Sequence, residues 1–290
     1  GSVAEHVSVA ERPVTMRRLI DAATETLAAA GVASPRVDAE LLAAHVAGTD
    51  RSRLAFTDPG PGFADRYHEL IASRAARRPL QHLTGNAPFG PVTVSVGPGV
   101  FIPRPETESM LEWALAQPLP DRPVIVDLCT GSGALAIALA SERPSAQVIA
   151  VDDDEEALTY ARRNAAGTAV QLRCADVTRP GVLSDLDGTV DLLVANPPYI
   201  PLGAELSPEV AEHDPAHALY GGRDGMAVID PLAGLAARLV RPGGRCAIEH
   251  DDTTSARTAD ALLSTRRFVE VNARHDLSGR PRFVTAVRGG

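Results

Sequence analysis

Asp191-Leu-Leu-Val-Ala-Asn-Pro-Pro-Tyr-Ile-Pro201 falls into two parts. The apolar part predicts a buried strand over Val190–Ala195. It stops at Asn196-Pro197-Pro198-Tyr199, because consecutive prolines have no N–H to donate to a sheet. Each proline also drives its predecessor toward extended geometry. The product is a stiff loop at the carboxyl end of a strand, the place where ligands bind in an open α/β sheet.

The atoms of that loop suit a planar amine. Asn196 offers one carbonyl acceptor and one NH2 donor. The Pro197 carbonyl has no N–H from Pro198 to engage it. Two neighbouring acceptors match the two donors of an NH2 group, and Tyr199 adds an aromatic face or edge. The loop therefore reads as a holder for an sp2 amine, either a carboxamide or the exocyclic amine of a base. The plainer reading is a proline-rich turn with Asn196 as a turn residue.

Outward from the loop, the chain alternates. Strands are expected at 123–128, 146–151, 169–174, 189–195 and 244–249. Helices are expected at 132–142, 154–165, near 224–240 and at 254–264. Such alternation makes a mostly parallel sheet with helices on both faces. Strands at 267–274 and 281–287 share only the short link Asp276–Pro281, so they form a C-terminal antiparallel hairpin.

Asp127-Leu-Cys-Thr-Gly-Ser-Gly133 lies between the first of these strands and its helix. Its glycines let backbone approach a ligand at a helix N-terminus. Gly131-x-Gly133-x-x-Ala136 also fits a dinucleotide fingerprint, with Asp152 about 20 residues on. Under either reading Asp152 takes a ribose diol. Its plainer reading is the first charge of an acidic run at a helix start. Asp127, Asp152, Asp176 and Asn196 follow successive strands and step across one sheet edge.

The N-terminal part is helical. Residues 3–13 carry no periodicity and are expected to fray. Thr15 caps a helix to Ala30 that buries Met16, Leu19, Ile20, Ala23 and Leu27, ended by Gly31. Ser34-Pro35 opens a second, with Val37, Leu41, Leu42 and Val46 inward and Gly48 as its stop. A third, from Phe63 to Arg78, buries Phe63, Tyr67, Leu70 and Ile71. Val92, Val94 and Val96 after Pro88-Phe89-Gly90-Pro91 read as a β-hairpin. The domains are therefore a helical bundle at 1–80, a hairpin linker at 81–100 and a catalytic α/β domain at 101–290.

Composition narrows the chemistry. The chain has 290 residues, 44% hydrophobic and 22% charged, an ordinary globular make-up. All 28 basic residues are arginine, which excludes a Schiff-base lysine and a phosphate-loop lysine. Through Gly85 there are 10 basic and 10 acidic residues, so the net charge of −9 lies wholly in the remainder. That opposes binding to duplex DNA or bulk RNA. No apolar run is long enough for a membrane span, and no signal pattern opens the chain, so the expected location is the cytoplasm. Cys129, Cys174 and Cys246 lack zinc-ligand spacing, and no metal is expected. His213 and His217 are four apart, but Pro215 breaks the helix that would pair them. Glu249-His250-Asp251-Asp252 resembles a ligand run and reads better as a strand end at the sheet's loop edge.

Asn-Pro-Pro-Tyr resembles the signature of methyltransferases that act on a planar nitrogen. These include the DNA adenine enzymes and the PrmC or HemK family of protein-glutamine methyltransferases. Pro79–Gly85 and Phe101–Glu108 are similar to the PrmC or HemK pattern in particular, and the likeness spans most of residues 79–290. It implies a class I, Rossmann-like methyltransferase using S-adenosylmethionine. Asn196, Pro197, Pro198 and Tyr199 would form the catalytic loop. The implied cofactor site comprises Asp127, Cys129, Thr130, Gly131, Ser132, Gly133, Asp152, Asp176, Val177 and Asn196. In it, Thr130–Gly133 cradle the amino-acid end and ribose, Asp176 and Val177 border the adenine, and the segment holding Arg104 and Glu106 walls the pocket. The implied substrate is the glutamine of the Gly-Gly-Gln loop in class I release factors, so the implied role is in translation termination, without direct binding of nucleic acid. Val177 departs from an aromatic that some members carry. Cys129 stands where the family has glycine, and cysteine adopts a positive φ only at a cost. The residues alone leave open an adenine or cytosine methyltransferase, a dinucleotide-dependent oxidoreductase and a non-catalytic binding module.

Overall fold

A computed structural model of the chain describes residues 15–290. The reading of residues 3–13 lies outside the described residues. The chain divides into two compact units, Gly1–Thr84 and Gly85–Gly290.

The first unit packs α1 (Met16–Ala29), α2 (Pro35–Ala47), α3 (Phe63–Ala75) and the short α4 (Leu80–Thr84). The Thr15 hydroxyl accepts from the Arg18 N–H, and α1 buries the five apolar residues expected of it. Gly48, at φ 66°, closes α2 in the left-handed conformation that glycine adopts freely. The inward face of α2 is rotated from the one expected. Val37 is exposed, and Asp38, Ala39, Leu42, Ala43 and Ala44 are buried. The cause is α3, whose Arg74 bonds Asp38 at 2.8 Å and whose Tyr67 hydroxyl donates to the Ala39 carbonyl. Leu70 is only half-buried, and Arg74 takes its place in the interface. Pro79 begins the helical turn that follows α3, because proline suits the first turn of a helix.

The second unit begins with hairpin β1 (Asn86–Phe89) and β2 (Val92–Ser95). Phe89, Val94 and Val96 share one apolar cluster with Leu111, Leu135 and Ile137. The Asn164 side chain bonds both polar backbone groups of Ser95. The hairpin is thus packed onto the α/β unit. There follow α5 (Glu108–Leu115), β3 (Val124–Leu128), α6 (Ala134–Glu142), β4 (Gln147–Asp152), α7 (Glu155–Ala165), β5 (Gln171–Cys174) and β6 (Val190–Ala195). Short helices α8 (Pro208–His213) and α9 (Ala216–Leu219), unforeseen from periodicity, precede α10 (Ile229–Leu239). The unit ends with β7 (Val240–Glu249), α11 (Ser255–Ser264), β8 (Phe268–His275) and β9 (Pro281–Arg288).

The seven-stranded sheet runs β5-β4-β3-β6-β7-β9-β8. The first five strands are parallel, and β9 is antiparallel to both neighbours. This is the mostly parallel sheet with a C-terminal antiparallel pair read from the sequence. Strand order reverses between β3 and β6, where the register sets Leu128 beside Ala195. The glycine loop and Asn196 therefore leave the sheet side by side at its switch point, which is where open α/β sheets bind ligands.

Candidate active site

The glycine loop is built by its own hydrogen bonds. The Thr130 N–H donates to the Val151 carbonyl at 2.9 Å, and the Thr130 hydroxyl to Asp127 at 2.7 Å. The Gly131 N–H donates to Asp152 Oδ2 at 2.8 Å, and the Asp154 N–H to Asp152 Oδ1 at 3.0 Å. Each Asp152 oxygen keeps a second lone pair, so the carboxylate anchors the loop and can still accept from a diol. Burial pushes the Asp127 carboxyl up to about 7; the Thr130 hydroxyl opposes that shift and the Asp152 charge adds to it. A buried carboxyl of this kind gains most from a cation placed against it.

A single cleft at the carboxyl edge brings together Asp127, Cys129, Thr130, Gly131, Ser132, Asp152, Asp176, Val177 and the whole Asn196–Tyr199 loop. Gly133 is not part of its lining; it caps α6 at φ 85° and faces Ile137 and Ala161 of the unit's interior. Arg104 lines the cleft, stacked 4.8 Å above Phe101 and paired with Asp214, and Glu106 does not. Asp176 accepts from both the N–H and the hydroxyl of Thr178, which holds its carboxyl below the usual range. Phe89, Ala157, His217 and Tyr220 also line it. Sequence reading did not place Phe89, Ala157 and Tyr220 there because an apolar or aromatic residue facing a cleft has the same pattern as one facing the core, and it weighed His217 only as half of a metal pair. His217 and His213 fall on separate helices, as Pro215 required, and His217 bonds Asp153 at 2.8 Å.

The Asn-Pro-Pro-Tyr loop is braced from outside the motif. Ile200 donates to the Leu219 carbonyl, Gly221 to that of Ile200 and Leu202 to that of Gly222. A Cβ on Gly221 would stand 2.6 Å from the Pro198 carbonyl oxygen. One on Gly225 would stand 2.4 Å from that of Tyr199. The Glu249-His250 run is taken up internally. Glu249 accepts from the hydroxyls of Thr107 and Tyr199, each at 2.7 Å, and His250 Nδ1 bonds the Asp251 carbonyl. Asp276 collects the Ser278 and Arg280 N–H groups and the Arg282 guanidinium, the turn-building role that Asp276–Arg282 suggested.

Cys129 has φ 59°, so the cysteine occupies the conformation that its position demands. The cost of that conformation for an L-residue is about 1–2 kcal/mol. Its thiol is pushed well up by burial and by the neighbouring carboxylates, first Asp152 and then Asp127, which disfavours the thiolate form. Cys129→Gly should therefore stabilise the unit by about 0.5–1 kcal/mol once glycine's greater unfolded entropy is subtracted. It should leave affinity for the cofactor that the sequence resemblance implies equal or better. Thermal denaturation and calorimetry check this, and a lower melting temperature with weaker binding contradicts it.

The residues fit an adenosyl cofactor bearing a cationic amino-acid end. Asp152 retains acceptors for a diol, Asp127 is a buried carboxyl short of a cation, and Val177 is an apolar shelf 8% exposed. No atom lies within 4 Å of where a Gly131 Cβ would stand, so the backbone is open there.

Residues 18–85 match the family described as the PrmC N-terminal domain, and residues 98–213 the methyltransferase small domain. The release factor glutamine methyltransferase of Mycolicibacterium smegmatis is 67% identical to the chain, covering 94% of it and 98% of that protein. The protein of the same name from Mycobacterium tuberculosis H37Rv is 61% identical over 96% and 93% of the two chains. That from Streptomyces coelicolor is 49% identical over 91% and 95%. A solved methyltransferase from Pyrococcus furiosus shares the fold, with a TM-score of 0.52 at 20% identity, covering 77% of this chain and 98% of that one.

Proposed function

The chain belongs to the release factor glutamine methyltransferase family, and we propose that its Asn196–Tyr199 loop holds the side-chain amide of a release-factor glutamine for methylation. The enzyme transfers a methyl group to that amide nitrogen. We assign S-adenosylmethionine as the donor, which supplies a methyl group activated by a sulfonium.

The observation that carries the reading is the adjacency of the Asn196 loop to the glycine loop across β3 and β6. An amide nitrogen is a poor nucleophile because its lone pair is delocalised. Asn196 Oδ1 and the Pro197 carbonyl each accept one N–H of the target. They thereby fix the nitrogen with its lone pair toward the methyl carbon, about 3–3.5 Å away before attack. The same acceptors favour the positive charge that grows on nitrogen. Asp152 would hold the ribose of that donor, Asp127 its ammonium, and Asp176 and Val177 would flank its adenine. The nitrogen becomes acidic as the methyl arrives, so its proton passes to solvent without a dedicated base.

The loop by itself does not separate glutamine from adenine, since both present a planar NH2. The acidic second unit, with 18 arginines against 27 carboxylates, disfavours a phosphate backbone. The first unit offers a second surface for a folded protein, in this reading a class I release factor met in the cytoplasm. Among the described residues no helix is long and apolar enough to cross a membrane.

The test is labelled methyl transfer to purified release factor, to its Gly-Gly-Gln Gln→Ala variant and to an adenine-containing duplex. Label is expected in the factor alone. Equal label in the variant, or label only in the duplex, overturns the assignment.

A further inference from the structure

Glu249 lies outside the lining of the cleft, yet it ends a polar chain that enters it. It sits at the carboxyl end of β7 and is 1% exposed. Its Oε1 accepts from the Thr107 hydroxyl and its Oε2 from the Tyr199 hydroxyl, both at 2.7 Å. Thr107, 4% exposed at the start of α5, then faces Asn196 Nδ2 at 3.5 Å. That last contact is at the long end of the hydrogen-bond range.

Resting on the functional reading above, we propose that Glu249 is a positioning residue that sets which end of the Asn196 amide faces the target. An ionised carboxylate only accepts. Thr107 has one hydroxyl proton, and giving it to Glu249 leaves Thr107 only lone pairs for Asn196. Asn196 must therefore turn its NH2 to Thr107 and its Oδ1 to the cleft. The exposed acceptor suits an amide NH2 and repels a carboxylate. Glu249 thus selects glutamine over glutamate from two residues away, through Thr107 and Asn196. Amide orientation is set in this way wherever a network leaves one end a single partner.

The surroundings keep the donor directions fixed. Burial raises the Glu249 carboxyl above the usual carboxylate range and the Glu106 charge adds to that rise, while the Thr107 and Tyr199 hydroxyls and the Arg282 charge oppose it. Burial and the Glu249 charge push the Tyr199 phenol well up, so it keeps the proton it donates. Arg282 is itself held by Asp276 at 3.1 Å. A buried network of this kind rigidifies a site when every member is paired.

The experiment uses the full chain and intact release factor. Glu249→Gln can no longer accept at both positions, and Thr107→Val removes the link between Glu249 and Asn196. Each should lower kcat by roughly 10- to 100-fold while the Kd for S-adenosylmethionine stays within about threefold. Because both break one chain, the double variant should be little worse than the poorer single. Thr107→Ser restores the hydroxyl and should recover most of the loss. The proposal is overturned if either variant keeps its kcat, if cofactor affinity and melting temperature fall in step with kcat, if the two losses multiply, or if Thr107→Ser is as slow as Thr107→Val. An inactive wild type would instead refute the functional reading.

Discussion

Asn196→Ala lowers kcat for release-factor methylation by about 10²–10³-fold and leaves S-adenosylmethionine affinity within a few-fold. The magnitude follows from what the side chain does. In the reading proposed above, its Oδ1 is one of two acceptors that hold the target nitrogen, and its pull would strengthen as positive charge develops there. An interaction stronger in the transition state than in the ground state appears in kcat. The cofactor is assigned instead to Asp127, Asp152 and Val177, none of which bonds Asn196. Truncation also leaves Thr107 still bonded to Glu249, so the pocket wall stands. Calorimetry with the cofactor and single-turnover methylation decide the matter. A variant whose cofactor affinity falls sharply while its kcat at saturation stays normal places Asn196 on the wrong partner.

Gly225→Ala should be nearly as damaging, through a route that has no polar group in it. The added Cβ would lie 2.4 Å from the Tyr199 carbonyl oxygen, where real Cβ atoms keep at least 3.0 Å, and φ there is 81°. The obstacle is backbone of the catalytic loop, so the loop must move. A displacement approaching 1 Å at a reacting group can cost about 100-fold in rate. Gly221→Ala isolates the contact from the dihedral. Its φ is not in the left-handed range, yet its Cβ would meet the Pro198 carbonyl at 2.6 Å. Both variants should lose kcat by about 10- to 100-fold with the cofactor still bound. Gly225→Ala should in addition lose about 1–2 kcal/mol of stability. Wild-type kcat in either would show that the loop is not braced from this segment.

The elements of the α/β unit were legible because their signals are local. Apolar runs bounded by glycine and proline marked β3, β4, β6 and β7, and two adjacent prolines marked where β6 had to stop. Once alternation implied a parallel sheet, the residues after successive strands had to share one edge, so Asp127, Asp152, Asp176 and Asn196 could be placed together. Cys129 was legible too, since a loop that needs positive φ needs it whatever residue sits there. What the chain could not disclose locally was which distant groups meet. Thr107 and Glu249 are 142 residues apart, and nothing in either neighbourhood names the other. Gly133 fits the glycine pattern but serves helix packing, against Ile137 of its own helix and Ala161 of α7. On α2, alanines were buried and Val37 left out because Asp38 had to reach Arg74 on α3. Periodicity reports that an element has an inner face. The shape and charge of whatever packs against it decide which residues that face contains, and those come from another part of the chain.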